Sequence, residues 1–244
     1  ETEHDETRKR ELNVIASRCE RVLTRPAADF ADALQAYWLA SVLHRPDSPG
    51  RFDQDLWPWL EADLAKGRIS LEQAQELVDC VWIKMAQNRC WSLTLGGQTP
   101  SGEDATNPLT YLCLDSLRRL RTDAPNVEVR LHRGTPERLL RESCALLAEG
   151  LSMPALVNDE PVIHAMLQRG ISLEHARDYT LVGCTQVVSR GRCSGAYEDL
   201  ILNTAKCLEL ALHNGVDPLT GEQMGPRSGA PESLTCYTDL ERAW

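Results

Sequence analysis

The chain is 244 residues long, enough to bury a full core in one or two domains. Its 36 acidic residues against 26 basic ones leave a formal charge of -10, which argues against nucleic acid or an anionic membrane surface as a partner, since both select basic patches. No run of eighteen apolar residues occurs, so no membrane span is expected, and the charged start Glu1-Thr-Glu-His-Asp5 lacks the apolar stretch of a signal peptide.

From the amino terminus, residues 7–24 read as a charged amphipathic helix with Leu12, Ile15, Cys19 and Val22 on one face. Pro26 ends it. A second helix carries Phe30, Leu34, Tyr37, Trp38 and Val42, an aromatic stripe of core type, and a polar Pro/Gly turn over 46–52 follows. Phe52 opens a helical stretch that closes near Lys66-Gly67. Ser70 and Gln73 then form a capping-box pair for a helix burying Leu71, Ala74, Leu77, Val78, Val81, Trp82 and Met85. Trp91 to Leu95 alternates as a strand, and Gly96-Gly97, a pair that could let the backbone approach a ligand, is read as a plain turn. Asp104-Ala-Thr-Asn107 precedes a helix through Leu109, Leu112, Leu117 and Leu120.

From residue 127 the pattern becomes α/β. Val127 to His132 alternates strictly as a strand, and Thr135-Pro136 reads as an N-cap with proline at the first helical position, opening a helix that ends at Gly150. Met153 to Val157 is a short apolar strand leading into Asn158-Asp-Glu160. Helices are expected over 161–168 and 172–178, and Tyr179 to Val182 is a buried strand. Alternating strands and helices argue for parallel crossover units, with Asn158 and Cys184 at carboxyl ends of strands. Cys184 is therefore expected to be buried, on a loop running through Ser189, Gly191, Ser194 and Gly195. A leucine-rich helix from about 198 closes on His213-Asn-Gly215.

Nine cysteines, an odd number without a CxxC pair, signal neither a disulfide framework nor a zinc ribbon. Most read as reduced core thiols in helical patterns, as Cys80 does in Leu77-Val-Asp-Cys80-Val-Trp82. No histidine stands three or four residues from another, so no metal site is expected. The missing initiator Met and the helix-like start at Asp239 lead to the expectation of an internal piece of a longer chain.

Five stretches together resemble the glycyl radical enzymes of the pyruvate formate-lyase-like superfamily. They are Leu95-Gly-Gly-Gln-Thr-Pro-Ser-Gly-Glu-Asp-Ala-Thr-Asn107, Pro125 to Pro136, Met153-Pro-Ala-Leu-Val-Asn-Asp-Glu160, Ala176-Arg-Asp-Tyr-Thr-Leu-Val-Gly-Cys184 and Gly215 to Pro226, in family order across nearly the whole chain. Ser152 departs from the pattern, which often has glycine there. The resemblance implies an α/β fold: part of a ten-stranded barrel of two parallel five-stranded half-sheets surrounded by helices, with a helical N-terminal part. Residues 1–244 would form the central part of that single domain, with the cysteine loop threaded into its interior.

The resemblance also implies a mechanism. A glycyl radical, installed by a radical-SAM activating enzyme, makes a thiyl radical at Cys184, which takes hydrogen from a small-molecule substrate. The C–O, C–N or C–C bond cleavage of a lyase or dehydratase follows. The radical glycine belongs to a C-terminal motif that this sequence does not contain, so no cofactor is expected to be bound and the isolated chain is expected to be inactive. An anaerobic, cytoplasmic homodimer is implied as well.

Departures in the loop narrow the subtype. Formate acetyltransferases carry two adjacent cysteines, whereas Thr185 follows Cys184 here. Dehydratases carry Gly-Cys-x-Glu, whereas Gln186 can hydrogen-bond a hydroxyl but cannot act as general base. Glu198 falls where dehydratases place a second acid. Asn158, Asp159, Arg190 and Arg192 are candidate substrate ligands. Formate C-acetyltransferase-like and fumarate-adding enzymes rank lower. Outside radical chemistry stand a non-catalytic α/β interaction module and a thiol hydrolase using His164 or His175, whose spacing does not recommend it.

Overall fold

The computed structural model describes residues 3–43, 48–192 and 203–243. The chain divides into two compact units, residues 1–196 and 197–244.

The first unit begins with four helices: α1 (Glu6–Val22), α2 (Phe30–Leu43), α3 (Phe52–Ala65) and α4 (Leu71–Gln87). The Ser70/Gln73 capping box is present at the start of α4. Its expected stripe is buried at Ala74, Val78, Val81, Trp82 and Met85, but Leu71 lies at the surface. No residue of α1 is buried, and Leu12 and Ile15 are 41% and 43% exposed. Charge holds α1 instead: Arg18 Nε and Arg21 Nε donate to the buried Asp32 carboxylate of α2 at 2.9 and 2.8 Å.

Three parallel strands follow, joined by crossover helices: β1 (Ser92–Gly96), α5 (Pro108–Leu120), β2 (Asn126–Leu131), α6 (Glu137–Ala148) and β3 (Ala155–Asn158). Asn107, at the end of the Asp-Ala-Thr-Asn run, caps α5 by accepting from the Leu109 and Thr110 amides. Pro136, not Thr135, stands at the N-cap of α6; the Thr135 hydroxyl accepts the His132 amide at 2.8 Å and so shapes the loop. Because side chains alternate across a strand, Leu93 and Leu95 of β1 line up with Val127 and Val129 of β2 on one face. That face joins the main core, with Phe30, Phe52, Leu60, Trp82, Leu109 and Leu139 supplied by the helices.

The opposite face carries Ser92, Thr94, Glu128 and Arg130, all buried. After β3 come α7 (Asp159–Gln168), α8 (Leu173–Arg177), β4 (Tyr179–Val182) and β5 (Gln186–Ser189). β4 is not a further crossover strand of the parallel sheet: it pairs antiparallel with β5 as a hairpin. The segment expected as loop after Cys184 is thus partly strand. The physical reason is a short turn, Gly183-Cys184-Thr185, between two extended runs that pair with each other.

In the second unit, α9 (Thr204–Leu212) is capped by Asn203, and Lys206 bridges to Asp217 at 2.9 Å. The expected helix start near 198 lies outside the described residues. A final helix, α10, spans Tyr237–Ala243. Among the described residues no cysteine is in a disulfide; Cys90 and Cys113 are buried, whereas Cys80, read as a core thiol, is exposed beside Asp79 on α4. No described helix is long and apolar enough to cross a membrane.

Candidate functional site

The site is built on the polar face of the sheet, where the β4–β5 hairpin lies along β1. Thr180 Oγ1 and the Leu181 amide both donate to Thr94 Oγ1 at 3.0 Å, and Ser92 Oγ donates to the Leu181 carbonyl at 3.1 Å. Beyond these, the Gly183 amide donates to Ser48 Oγ at 2.9 Å, and Ser92 Oγ also reaches Ser48 Oγ at 3.0 Å. The hairpin is therefore held by side-chain hydroxyls rather than by a ladder of backbone bonds. Two residues of β2 on this face, Glu128 and Arg130, complete the polar layer.

Arg130 fixes where the hairpin begins. Its Nε and Nη2 donate to the two carboxylate oxygens of Asp159 at 2.8 and 2.9 Å. Nη1 donates to the Tyr179 carbonyl at 2.7 Å and Nη2 to the Arg177 carbonyl at 2.8 Å. The guanidinium carbon stands 3.7 Å from the centre of the Tyr179 ring, and the Tyr179 hydroxyl donates to Asp159 Oδ1 at 2.8 Å. Arg130, Asp159 and Tyr179 are all buried, so each charge is matched where water is excluded. Burial pushes the Tyr179 phenol up, which keeps it a donor to Asp159.

Gly97, expected to be part of a plain turn, is required by this arrangement. Its φ is +80°, and a Cβ there would stand 2.6 Å from Arg130 Nε. The Gly96-Gly97 pair lets the backbone approach a side chain of the protein rather than a ligand.

The tip of the hairpin is different. The Thr185 amide donates to the Val182 carbonyl at 3.3 Å, closing a turn whose first residue, Gly183, has φ of +59°. Cys184 and Gln186 are exposed. The expectation of a buried sulfur is thus corrected for this chain: Cys184 projects from the turn and not into the strand layer. Its place along the sheet is corrected too. The Tyr179 carbonyl lies at Arg130, which is in register with Gly96, whereas Leu181 lies at Thr94 and Ser92. β4 therefore runs against β1, and Cys184 points toward the amino-terminal end of that strand. Asn158 is at the opposite, carboxyl end, where its side chain caps α7 by accepting from the Glu160 amide at 3.1 Å.

The remaining candidates are dispersed. Asp159 is fully buried against Arg130. Arg190 pairs with Asp55 at 2.9 Å at the open end of the hairpin, away from Cys184. Arg192 borders a cavity of about 930 Å³ between β5 and helices α7 and α8, lined by Met166, Ile171 and Val188 with Arg169 and His175. Glu198 lies outside the described residues. Among the described residues, no group of three His, Cys, Asp or Glu could hold a metal ion.

Two carboxyls that the sequence pattern did not single out are raised by burial, one on β2 and one on α3. Glu128 Oε2 is buried without a hydrogen-bond partner, and burial pushes this carboxyl up to about 8. Asp55 is raised by burial to about 6 against the attraction of Arg190. Glu128 and Arg130 occupy the polar positions of an alternating strand, which read as a solvent-facing side, so the pattern gave no signal of their burial.

The described residues of this part of the chain thus form an α/β protein, a parallel sheet with a cysteine-tipped hairpin along its polar face. The profile described as pyruvate formate lyase-like matches residues 1–244, and the chain belongs to that family, the glycyl radical enzymes. It is 37% identical to an isethionate sulfite-lyase of Nitratidesulfovibrio vulgaris over 99% of this chain and 32% of that protein. It is 34% identical to a (2S)-3-sulfopropanediol dehydratase of Klebsiella oxytoca over 98% of this chain and 32% of that protein. A solved structure described for 1,2-propanediol dehydration in Roseburia inulinivorans superposes with a TM-score of 0.88 at 33% identity, covering 99% of this chain and 33% of that one. The chain thus spans about a third of the length of the curated relatives it matches.

Proposed function

We propose that the chain is the cysteine-bearing part of a glycyl radical lyase or dehydratase acting on a small hydroxylated organic substrate. The observation that carries this reading is Cys184, exposed at the tip of a hairpin whose base Arg130 ties to the sheet. The radical is supplied to the sulfur by a backbone glycyl radical that a radical-SAM activase installs. From there the chain's own residues act. The Cys184 thiyl takes a hydrogen atom from a substrate carbon, forming S–H and leaving the unpaired electron on that carbon. Cleavage of an adjacent C–O, C–N or C–C bond follows, and the thiol returns the hydrogen.

Gln186, two residues on, is exposed on the same turn region. Its amide orients a substrate hydroxyl by donating and accepting, and proton removal falls to another group, for which Glu198 stands as the candidate. Asn158 and Asp159 take no direct part: both are engaged, one as a helix cap and the other with Arg130. The same reading holds the polar sheet face to be the inner wall of a ten-stranded barrel, and the enzyme to be an anaerobic, cytoplasmic homodimer.

Cys184→Ser tests the reading in an activated enzyme containing residues 1–244. A hydroxyl O–H bond is too strong for the glycyl radical to break, so turnover is expected to vanish while the glycyl electron paramagnetic resonance signal persists. Turnover at the parent rate would remove Cys184 from the radical path.

A further inference from the structure

The open end of the hairpin carries charges that the proposed reaction does not use. Tyr179 faces Ser189 in the hairpin register, so Asp178 and Arg190 are the next facing positions beyond the ladder. Arg190 Nε lies 3.7 Å from Asp178 Oδ2, and Arg190 Nη1 lies 2.9 Å from Asp55 Oδ1 on α3. In the other direction, Arg51, the residue before α3, donates through Nη1 to Asp178 Oδ1 at 2.7 Å and through Nη2 to the Gly96 carbonyl at 2.8 Å. The bridges are crossed: the hairpin sends an arginine to an acid of α3, and the start of α3 sends an arginine to an acid of the hairpin. Because Arg51 is also bonded to β1, the pair ties the hairpin base to the end of the sheet.

We infer that Arg190 and Asp55 are positioning residues for Cys184, setting the angle at which the hairpin leaves the sheet and hence where its tip stands. The inference rests on the reading of Cys184 as the radical relay. It replaces the idea of Arg190 as a substrate ligand, since the guanidinium sits at the end of the hairpin opposite to the turn. The charged groups around Asp55 are Arg190 after β5, Asp178 before β4, and Arg51 and Asp53 at the start of α3, with the Tyr37 phenol facing from α2.

The sign of the coupling follows from burial. Burial raises Asp55 to about 6, so its carboxylate is charged at pH 7.5 and largely protonated at pH 5. Opening the hairpin rehydrates that carboxylate, so acid by itself favours the closed hairpin. Arg190 offsets the burial penalty only while Asp55 is charged, and its removal must therefore matter more at pH 7.5 than at pH 5. The two side chains are 39% and 29% exposed, so water and salt screen the bridge and the effect is modest.

Hydrogen–deuterium exchange of the 244-residue chain, read by mass spectrometry over residues 179–192, tests this without requiring activity. Arg190→Gln is expected to speed exchange of the β5 amides roughly fivefold at pH 7.5 and less than about twofold at pH 5, after correction for intrinsic rates, with β1 and β2 unchanged. In an Asp55→Asn background the same substitution is expected to lose its pH dependence. The charge-swapped chain, Asp55→Arg with Arg190→Asp, should return to within about twofold of the parent. In the activated enzyme, Arg190→Gln should lower kcat and leave KM within about twofold, whereas loss of a substrate ligand raises KM. Unchanged β5 exchange at pH 7.5, an equal effect at both pH values, or a raised KM overturns the inference. Sustained turnover in Cys184→Ser instead overturns the radical reading and leaves the exchange result standing, so the two failures are told apart.

Discussion

The two ends of the β4–β5 hairpin are made of the same kind of chain and behave as opposites. At the base, Tyr179 is buried, its carbonyl is taken by Arg130, and Asp178 and Arg190 are bridged to the start of α3. At the tip, Cys184, Thr185 and Gln186 are exposed, and the turn is closed by one backbone bond of 3.3 Å. The difference shows how a turn cysteine can be held in place without being enclosed by the strand that carries it. Order is supplied from the base by buried, matched charges, and access is left at the tip.

That contrast predicts that base substitutions cost stability and tip substitutions cost chemistry. The largest effect is expected from Arg130→Met. It leaves the Asp159 carboxylate buried without its bidentate partner and two carbonyls without donors, a loss of about 5 kcal/mol or failure to fold in urea denaturation. A stability change below about 1 kcal/mol would mean that the base is not held by this charge.

Next comes Glu128→Gln, which acts in the opposite direction. The folded-state carboxyl titrates near 8 against an ordinary value of 4.5, so its contribution is fully present below about pH 4.5 and is lost as pH rises through 8. An amide of the same shape carries no such penalty. The variant is expected to match the parent near pH 4 and to exceed it by about 5 kcal/mol at pH 9, because each tenfold change in proton affinity on folding is worth about 1.4 kcal/mol. Parallel stability curves for parent and variant would show that Glu128 ionises freely.

Gly97→Ala is expected to cost about 2 kcal/mol, from a positive φ and a Cβ placed against Arg130. If the change is neutral, Arg130 has room to move and the base is looser than its distances indicate. At the tip, Gln186→Glu should change stability by less than about 0.5 kcal/mol, because the side chain is exposed. In the activated enzyme it should lower kcat/KM about tenfold, the equivalent of one hydrogen bond of about 1.4 kcal/mol. Unchanged kinetics would take Gln186 out of the site.

Much of the parallel unit was legible in the sequence, and the reasons for the rest are physical. The alternation of Val127 to Leu131 identified β2 and its two faces, but alternation says nothing about what covers the second face. Glu128 and Arg130 are both buried, and Arg130 is buried where it meets Tyr179 of the hairpin, a long-range fact. Arg130 and Asp159 meet only through the register of β2 and β3, which no local pattern encodes. The hairpin itself was within reach, since Gly183 separates two extended runs by a three-residue turn; the glycines and serines after it point toward a loop. The apolar stripe of α1 was real in spacing yet unburied, because arginines rather than leucines meet α2. The expectation of a buried Cys184 misjudged its exposure, because free cysteine is so often buried.

The central claim is an open sulfur on a fixed base, and alkylation of the native 244-residue chain tests it most directly. Iodoacetamide modification, followed residue by residue through peptide mass spectrometry, compares Cys184 with the buried Cys113 in the same sample. Cys184 is expected to react at least roughly a hundredfold faster, the ratio of an exposed thiol to one reached only through an opening that costs about 2.7 kcal/mol or more. Equal rates for Cys184 and Cys113 would contradict the account.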